Sequence, residues 1–232
     1  MMKKLLCLII ILAGVGLTFD ASAQRKLTAQ EKELYKQRIE DVVNDFNGRV
    51  SEIWRRPTRV ESQNMERFRA AKEIEISEAL KLFIGKGKPY EEEIVEEKWN
   101  GYEYETTTRR VKHRAVAMQT SNVNNKVISN QTVESYLRKA AKAQGSRIEV
   151  SACDAFFLGG DKGELKEVAP GKYETTVAFI QDFMRYNAEG KRVYADRTTK
   201  IIRVYITLVQ RPDGEYFKVE LGDIRVVETV RL

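Results

Sequence analysis

Four strand-like segments follow one another from Arg147 to the C-terminus, and they limit what this chain can fold into more than any other feature: Arg147–Leu158, Tyr173–Asn187, Arg192–Gln210 and Tyr216–Val230. Turn residues separate them. A charged stretch, Gly159 to Gly171, joins the first two, Ala188-Glu189-Gly190 the second and third, and Pro212-Asp213-Gly214 the third and fourth. Proline at the first turn position and glycine at the third suit a three-residue hairpin loop with a bulge. The second and third segments are 15 and 19 residues long, against a usual strand of about 5–6. A long antiparallel sheet of this kind must be strongly twisted and curved.

What precedes the strands is helical. Thr28 with Glu31, and Thr58 with Glu61 after Pro57, are capping boxes, in which a threonine hydroxyl and a glutamate satisfy otherwise unpaired amides. Tyr35, Ile39, Val42 and Phe46 share one helical stripe, with a pause expected at Asn47-Gly48. Met65, Phe68, Ile76, Ala79, Leu80 and Phe83 share another, which should stop at Gly85 and Gly87. A third helix is predicted from about Gln131, with Val133, Tyr136, Leu137, Ala140 and Ala141 at core spacing and Gly145 ending it. The chain therefore reads as α+β, with N-terminal helices packed against a long, curved antiparallel sheet.

Between the second and third helices the charge reverses. Residues 89–105 hold seven Glu against one Lys, and residues 106–147 hold nine Lys or Arg against Glu134 alone. Asn100-Gly101, which tolerates positive φ, sits inside the acidic part as a strong hairpin signal. An acidic strand lying beside a basic one explains the pattern.

The first residues predict export. Lys3 and Lys4 precede the uncharged run Leu5–Leu17, and Ala21-Ser22-Ala23 offers a cleavage site before Gln24. The run meets Asp20 too soon to span a bilayer, so no transmembrane anchor is expected in the mature chain. Cys7 lies too early in the run to be a lipidated cleavage-site cysteine. The mature chain keeps one cysteine, Cys153, so it can form no internal disulfide and must rely on its hydrophobic core.

Three stretches carry a family resemblance: Gln181 to Lys200 (QDFMRYNAEGKRVYADRTTK), Leu221-Gly222-Asp223-Ile224, and Ala79 to Gly87 (ALKLFIGKG). Together they resemble secreted Bacteroidetes proteins with an NTF2-like (cystatin-like α+β) domain. The resemblance covers about residues 70–230 and implies a cone of curved sheet around helices, and export; it carries no activity. Pro89–Tyr104 looks like an insertion relative to that pattern. The organisation expected is a signal peptide at 1–23, a helical extension at 24–69 and an NTF2-like domain at 70–232.

The residues exclude much chemistry. With one histidine, His113, the chain has no two-histidine metal site. No GxSxG turn places a serine nucleophile. Gly85-Lys86-Gly87-Lys88 lacks the spacing of a phosphate loop, and Gly159–Gly163 has too few oxygens for calcium. No cofactor, no metal ligand and no catalytic residue is assigned. Carboxylates and tyrosines remain. The resemblance implies a use for them, since some relatives isomerise or dehydrate small ligands with an Asp base and Tyr donors inside the cone. That reading requires Asp182, Asp196 or Asp223 in a concave pocket beside a tyrosine hydroxyl.

Two registers of the hairpin around Ala188–Gly190 stay open. A three-residue loop pairs Gln181 with Arg197 and Asp182 with Asp196, whereas a loop of two or four pairs Asp182 with Arg197. One slip exchanges a repelled carboxylate pair for an ion pair. The first register gathers Val177, Phe179, Phe183, Ile201, Val209, Phe217, Val219 and Leu221 on one face, with Gln181, Arg197, Arg203, Tyr205 and Asp223 among them. These five are the candidate ligand-binding residues. Either Arg203 and Asp223 form a structural ion pair, or the five line a wet pocket, because a lone charge is not buried without a partner. Two arginines favour a small anionic ligand.

The basic stretch (Arg109, Arg110, Lys112, Arg114, Lys126, Arg138, Lys139, Lys142, Arg147) is either a patch for lipid headgroups or acidic glycans, or is neutralised by the acidic segment. Nucleic acid is not expected, because interleaved aromatics are missing. The function expected is that of a non-catalytic binding or structural module of the cell envelope, periplasmic or secreted, whose partner is an envelope protein or a small anionic ligand. An isomerase- or dehydratase-like enzyme and an anionic-surface binder are the alternatives. An edge strand and the helix stripe near Trp54 would allow self-association.

Overall fold

The computed structural model describes residues 27–123, 129–143, 147–152, 156–157, 164–187, 189–211 and 214–232. The predicted signal peptide, Lys126, Cys153, the start of the Gly159–Gly171 stretch and Pro212-Asp213 lie outside the described residues.

Helix α1, Ala29–Trp54, starts at the first capping box: Thr28 Oγ1 accepts from the Glu31 amide at 3.2 Å and Glu31 accepts from the Thr28 amide at 2.8 Å. It does not pause at Asn47-Gly48. Val43, Phe46, Val50 and Ile53 keep helical spacing across that pair and are fully buried, so burial of the stripe overrides the local break. The second capping box forms but opens only the short turn Glu61–Gln63. Asn64 instead caps α2, Met65–Lys81, accepting from the Arg67 amide at 3.0 Å. After α2 the chain turns through Gly85 and Gly87 at positive φ. A Cβ on Gly87 would lie 2.9 Å from both Leu80 and Val133, so only glycine lets the chain pass between those two side chains.

Strands β1, Tyr90–Trp99, and β2, Tyr104–His113, form a two-stranded sheet of their own. The acidic and basic segments pair as their charges demand, with Arg110 on Glu93 at 2.9 Å and Lys112 on Glu91 at 3.6 Å. At the turn Asn100 Oδ1 accepts from the Tyr102 and Glu103 amides. At the base His113 stacks on Tyr90, ring centroids 4.5 Å apart, and faces Glu92 at 3.1 Å.

The remaining elements are β3 (Ala117–Thr120), β4 (Ser129–Thr132), α3 (Val133–Lys142), β5 (Arg147–Ala152), β6 (Phe156–Phe157), β7 (Lys166–Ala169), β8 (Lys172–Tyr186), β9 (Arg192–Arg211) and β10 (Gly214–Arg231). They build one sheet in the order β4-β3-β10-β9-β8-β5, with β6 and β7 also paired to β8. The sheet is mixed rather than purely antiparallel, because β3 runs parallel to β10 at Met118 and Ile224. Part of the stretch read as a loop, Gly159–Gly171, is strand β7.

Register follows the Asp182–Arg197 alternative. Asp182 lies opposite Arg197 and Phe183 opposite Asp196, and an irregularity between Arg185 and Tyr186 absorbs the odd residue of the turn. On the other side of β9, register shifts lie between Leu221 and Ile224 and between Val226 and Glu228. Such bulges add local twist and curl the sheet around the helices.

The helices fill that curve. Ile39, Val43, Phe46, Val50 and Ile53 of α1 belong to one core with Ile76 and Leu80 of α2, Val133 and Leu137 of α3, and Val177, Phe179, Ile202, Val204, Ile206 and Leu221 of the sheet. The segment expected as an extension, 24–69, thus supplies the central helix of this core. Trp54, expected on a self-association face, packs edge-on to Phe183 at 5.6 Å and donates to the Tyr136 hydroxyl at 3.1 Å.

Phe46 meets Phe83 edge-to-face at 5.0 Å, and Phe83 bridges to Leu221 of the sheet. Phe46→Ala should cost about 3–5 kcal/mol in urea unfolding, and Val95→Ala on the exposed hairpin less than about 0.5 kcal/mol.

Candidate functional site

Along the inner face of the sheet, burial alternates with chain number. On β8 the inner residues are Tyr173, Thr175, Val177 and Phe179, then Gln181, Phe183 and Arg185. On β9 they are Ile206, Val204 and Ile202, then Lys200, Thr198, Asp196 and Tyr194. The apolar half lies under α1. Where α1 ends at Trp54 the inner face turns polar, and a cavity of about 450 Å³ opens between Trp54, Tyr136 and Lys139 of α3, the end of β3, and the β8–β9 hairpin.

Lys200 is the deepest cation among the described residues. It is 4% exposed, its Nζ donates to Gln181 Oε1 at 2.7 Å, and it lies 5.8 Å from the centroid of the Tyr136 ring. Burial disfavours its ammonium and pushes its pKa down to about 8, which the charge of Asp196 opposes only in part. An ammonium only donates, so this bond fixes the Gln181 amide with Oε1 toward Lys200. Gln181 Nε2 is then a buried donor with no hydrogen-bond partner among the described residues.

Asp196 stands two inward positions along the same strand. It accepts from the Tyr194 hydroxyl at 2.5 Å. Burial holds its carboxyl above the usual carboxylate range, although the Tyr194 hydroxyl, Lys200 and the Thr198 hydroxyl each pull it down. Burial also raises the Tyr194 phenol, and the bond to Asp196 raises it further. Desolvation pushes the Tyr136 phenol up to about 12. The cavity therefore joins an amine that readily loses its proton to a carboxyl that readily keeps one. At its mouth Arg185 is exposed, 5.9 Å from the Tyr194 ring, and Lys139 donates to Gln131 at 2.6 Å.

Of the five sequence-predicted ligand residues, Gln181 alone lines this cavity. The Asp182–Arg197 register places Arg197, Arg203 and Tyr205 on the outer face. Arg197 is held by both oxygens of Asp182 at 2.8 Å. Arg203 pairs with Glu174 at 2.9 Å rather than with Asp223. Asp223 sits in the β10 bulge and accepts from Arg114 and from the Ala117 amide. Tyr205 lines a second hollow with Tyr90, Glu92, His113 and Lys172. Lys200, Tyr194, Tyr136 and Trp54 went unforeseen. Even-numbered Ile202, Val204 and Ile206 were the available signal, since that apolar parity extends back to Lys200, Thr198 and Asp196.

Much of the basic stretch is neutralised locally. Besides Arg110, Lys112 and Arg114, Arg138 meets Glu134 at 3.0 Å and Glu73 at 2.8 Å. Among the described residues no group of three or more His, Cys, Asp or Glu side chains is placed to hold a metal. No described helix is long and apolar enough to cross a membrane. No family model matches the chain, and no curated protein or solved structure matches it either.

The Lys200 shift fixes a pH dependence. Its folded pKa is about 8 and an unfolded lysine titrates near about 10.4. Between those values the unfolded chain binds more protons, so this site adds stability as pH rises, by about 3 kcal/mol. Lys200→Met removes the effect. In urea unfolding the stability of wild type relative to Lys200→Met should rise by about that amount between pH 7 and pH 10.5; a constant difference contradicts the assignment.

Proposed function

We propose that this chain is an exported, non-catalytic binding module of the cell envelope with an NTF2-like domain, and that it holds a small anionic ligand in the cavity between α3 and the β8–β9 hairpin. The observation that carries this reading is the unpartnered Gln181 amide N–H group, buried in a cavity it shares with Lys200. An unsatisfied buried donor costs about 1–3 kcal/mol, and a ligand acceptor removes that cost. Arg185 and Lys139 at the mouth and Lys200 below outnumber Asp196, which favours a carboxylate-bearing ligand. Trp54, Tyr136 and Phe183 supply an apolar wall for its body. Export rests on the charge and apolar pattern of residues 1–23.

One observation favours a second reading, an isomerase- or dehydratase-like enzyme: Asp196 lies in the cavity beside a tyrosine hydroxyl. The paired state of Arg110, Lys112, Arg114 and Arg138 argues against a binder of anionic surfaces.

A thermal-shift survey with small mono- and dicarboxylates tests the binding reading. A ligand at a hundredfold excess over Kd adds about 2.7 kcal/mol, or roughly 5–10 °C in a chain of this size. The shift should vanish in Gln181→Leu and persist in Arg203→Ala. No shift with any carboxylate, or equal loss in Arg203→Ala, contradicts it.

A further inference from the structure

We propose that Lys200 is an imine-forming residue, which captures a small oxo acid by bonding its amine to the ligand's carbonyl carbon; this deepens the binding reading above and rests on it. Most lysines point into water, where the ammonium is strongly hydrated and no longer nucleophilic. Lys200 does not. Its Nζ donates to the neutral Gln181 Oε1 at 2.7 Å, and among the described residues no carboxylate lies within ion-pair distance of it. It lines the cavity, with Nζ 5.8 Å from the centroid of the Tyr136 ring. These surroundings raise the share of neutral amine above that of a hydrated lysine, in keeping with its lowered pKa.

The other groups suit the rest of the reaction. Condensation of an ammonium with a carbonyl gives an iminium and water, so it needs a group that accepts a proton and returns it. Asp196, on the same face and bonded to Tyr194, can do both. The carboxylate takes a proton from Lys200 through a bridging water. The freed nitrogen lone pair then attacks the carbonyl carbon while the carbonyl π pair moves to oxygen. A proton passes from nitrogen to that oxygen, giving a carbinolamine. Asp196 next protonates the hydroxyl, which leaves as water as the nitrogen lone pair closes the C=N bond. One carbonyl oxygen and two lysine hydrogens depart as water, and nothing is oxidised or reduced. Gln181 Nε2 is the donor left for the ligand's oxygen, and Arg185 and Lys139 are the cations left for its carboxylate. The ionisable groups facing Lys200 across the cavity are Asp196 and Tyr194 of β9, Arg185 of β8, and Tyr136 and Lys139 of α3. The β3 and β4 side of the cavity contributes Thr120, Ser121, Asn122 and Gln131, none of which ionises.

Pyruvate serves as the probe and lactate, its analogue without a carbonyl, as the control. The whole mature chain is incubated with pyruvate and cyanoborohydride near pH 7.5, and the reduced adduct is mapped by peptide mass spectrometry. Lys200 should be labelled at least about tenfold faster than any other lysine. Lactate should slow that labelling by competition. Lys200→Arg should keep the circular-dichroism spectrum while losing the fast label. Lactate binding without preferential labelling of Lys200 overturns the imine and leaves the binding reading standing. Absence of both lactate binding and Lys200 labelling overturns the two together.

Discussion

Because side chains alternate along a strand, the pairing of Asp182 with Arg197 decides which half of β8 and β9 the helices cover. With that register, Ile202, Val204 and Ile206 face α1, and a bidentate ion pair lies outside. A slip by one residue would turn Arg203 and Tyr205 inward and Ile202 and Val204 out. Apolar burial at about 25 cal/mol per Å² over several such side chains far exceeds the surface ion pair, which is worth about 1 kcal/mol or less. The core therefore sets the register, and Asp182–Arg197 is compatible with it rather than its cause.

The same choice carries a cost further along the strand. Once Ile202 is inside, Lys200, Thr198 and Asp196 must be inside too, because the strand cannot change parity without a bulge. The register shifts opposite this run put their extra residues in β10, and the one at Arg185–Tyr186 falls past Tyr194, so β9 keeps its parity here. A lysine and a carboxyl are thus brought under the helices where α1 ends. Trp54 and α3 wall off the space without filling it. Polar groups held buried by a fold that does not otherwise need them are what a binding site requires: they are preorganised, and a ligand relieves their desolvation.

Much of the architecture was legible in the sequence. The capping box at Thr28, the long segments that became β8, β9 and β10, and the charge reversal that became the β1–β2 hairpin each rest on local chemistry. Asn47-Gly48 misled because the stripe Phe46–Val50 outweighs a local break. β7 was missed because four residues in a charged stretch carry little periodicity. The parallel pairing of β3 with β10 joins segments more than a hundred residues apart, and no local pattern encodes it. For the site, Gln181 was the one of the five ligand candidates that lines the cavity, and Asp196 the one of the three carboxylates weighed for a pocket beside a tyrosine hydroxyl. The register partner of Gln181 depended on one residue of loop geometry, which decided between Arg197 and Thr198 as its neighbour.

Direct titration of the lysine side chains by heteronuclear NMR tests the account most closely, because the cavity's chemistry depends on the protonation of Lys200. One lysine resonance, absent from the Lys200→Met spectrum, should titrate near pH 8, well below the rest, which should titrate near about 10.4. If the Lys200 resonance titrates with the others, the amine is hydrated and exposed, and the cavity described here does not exist in solution.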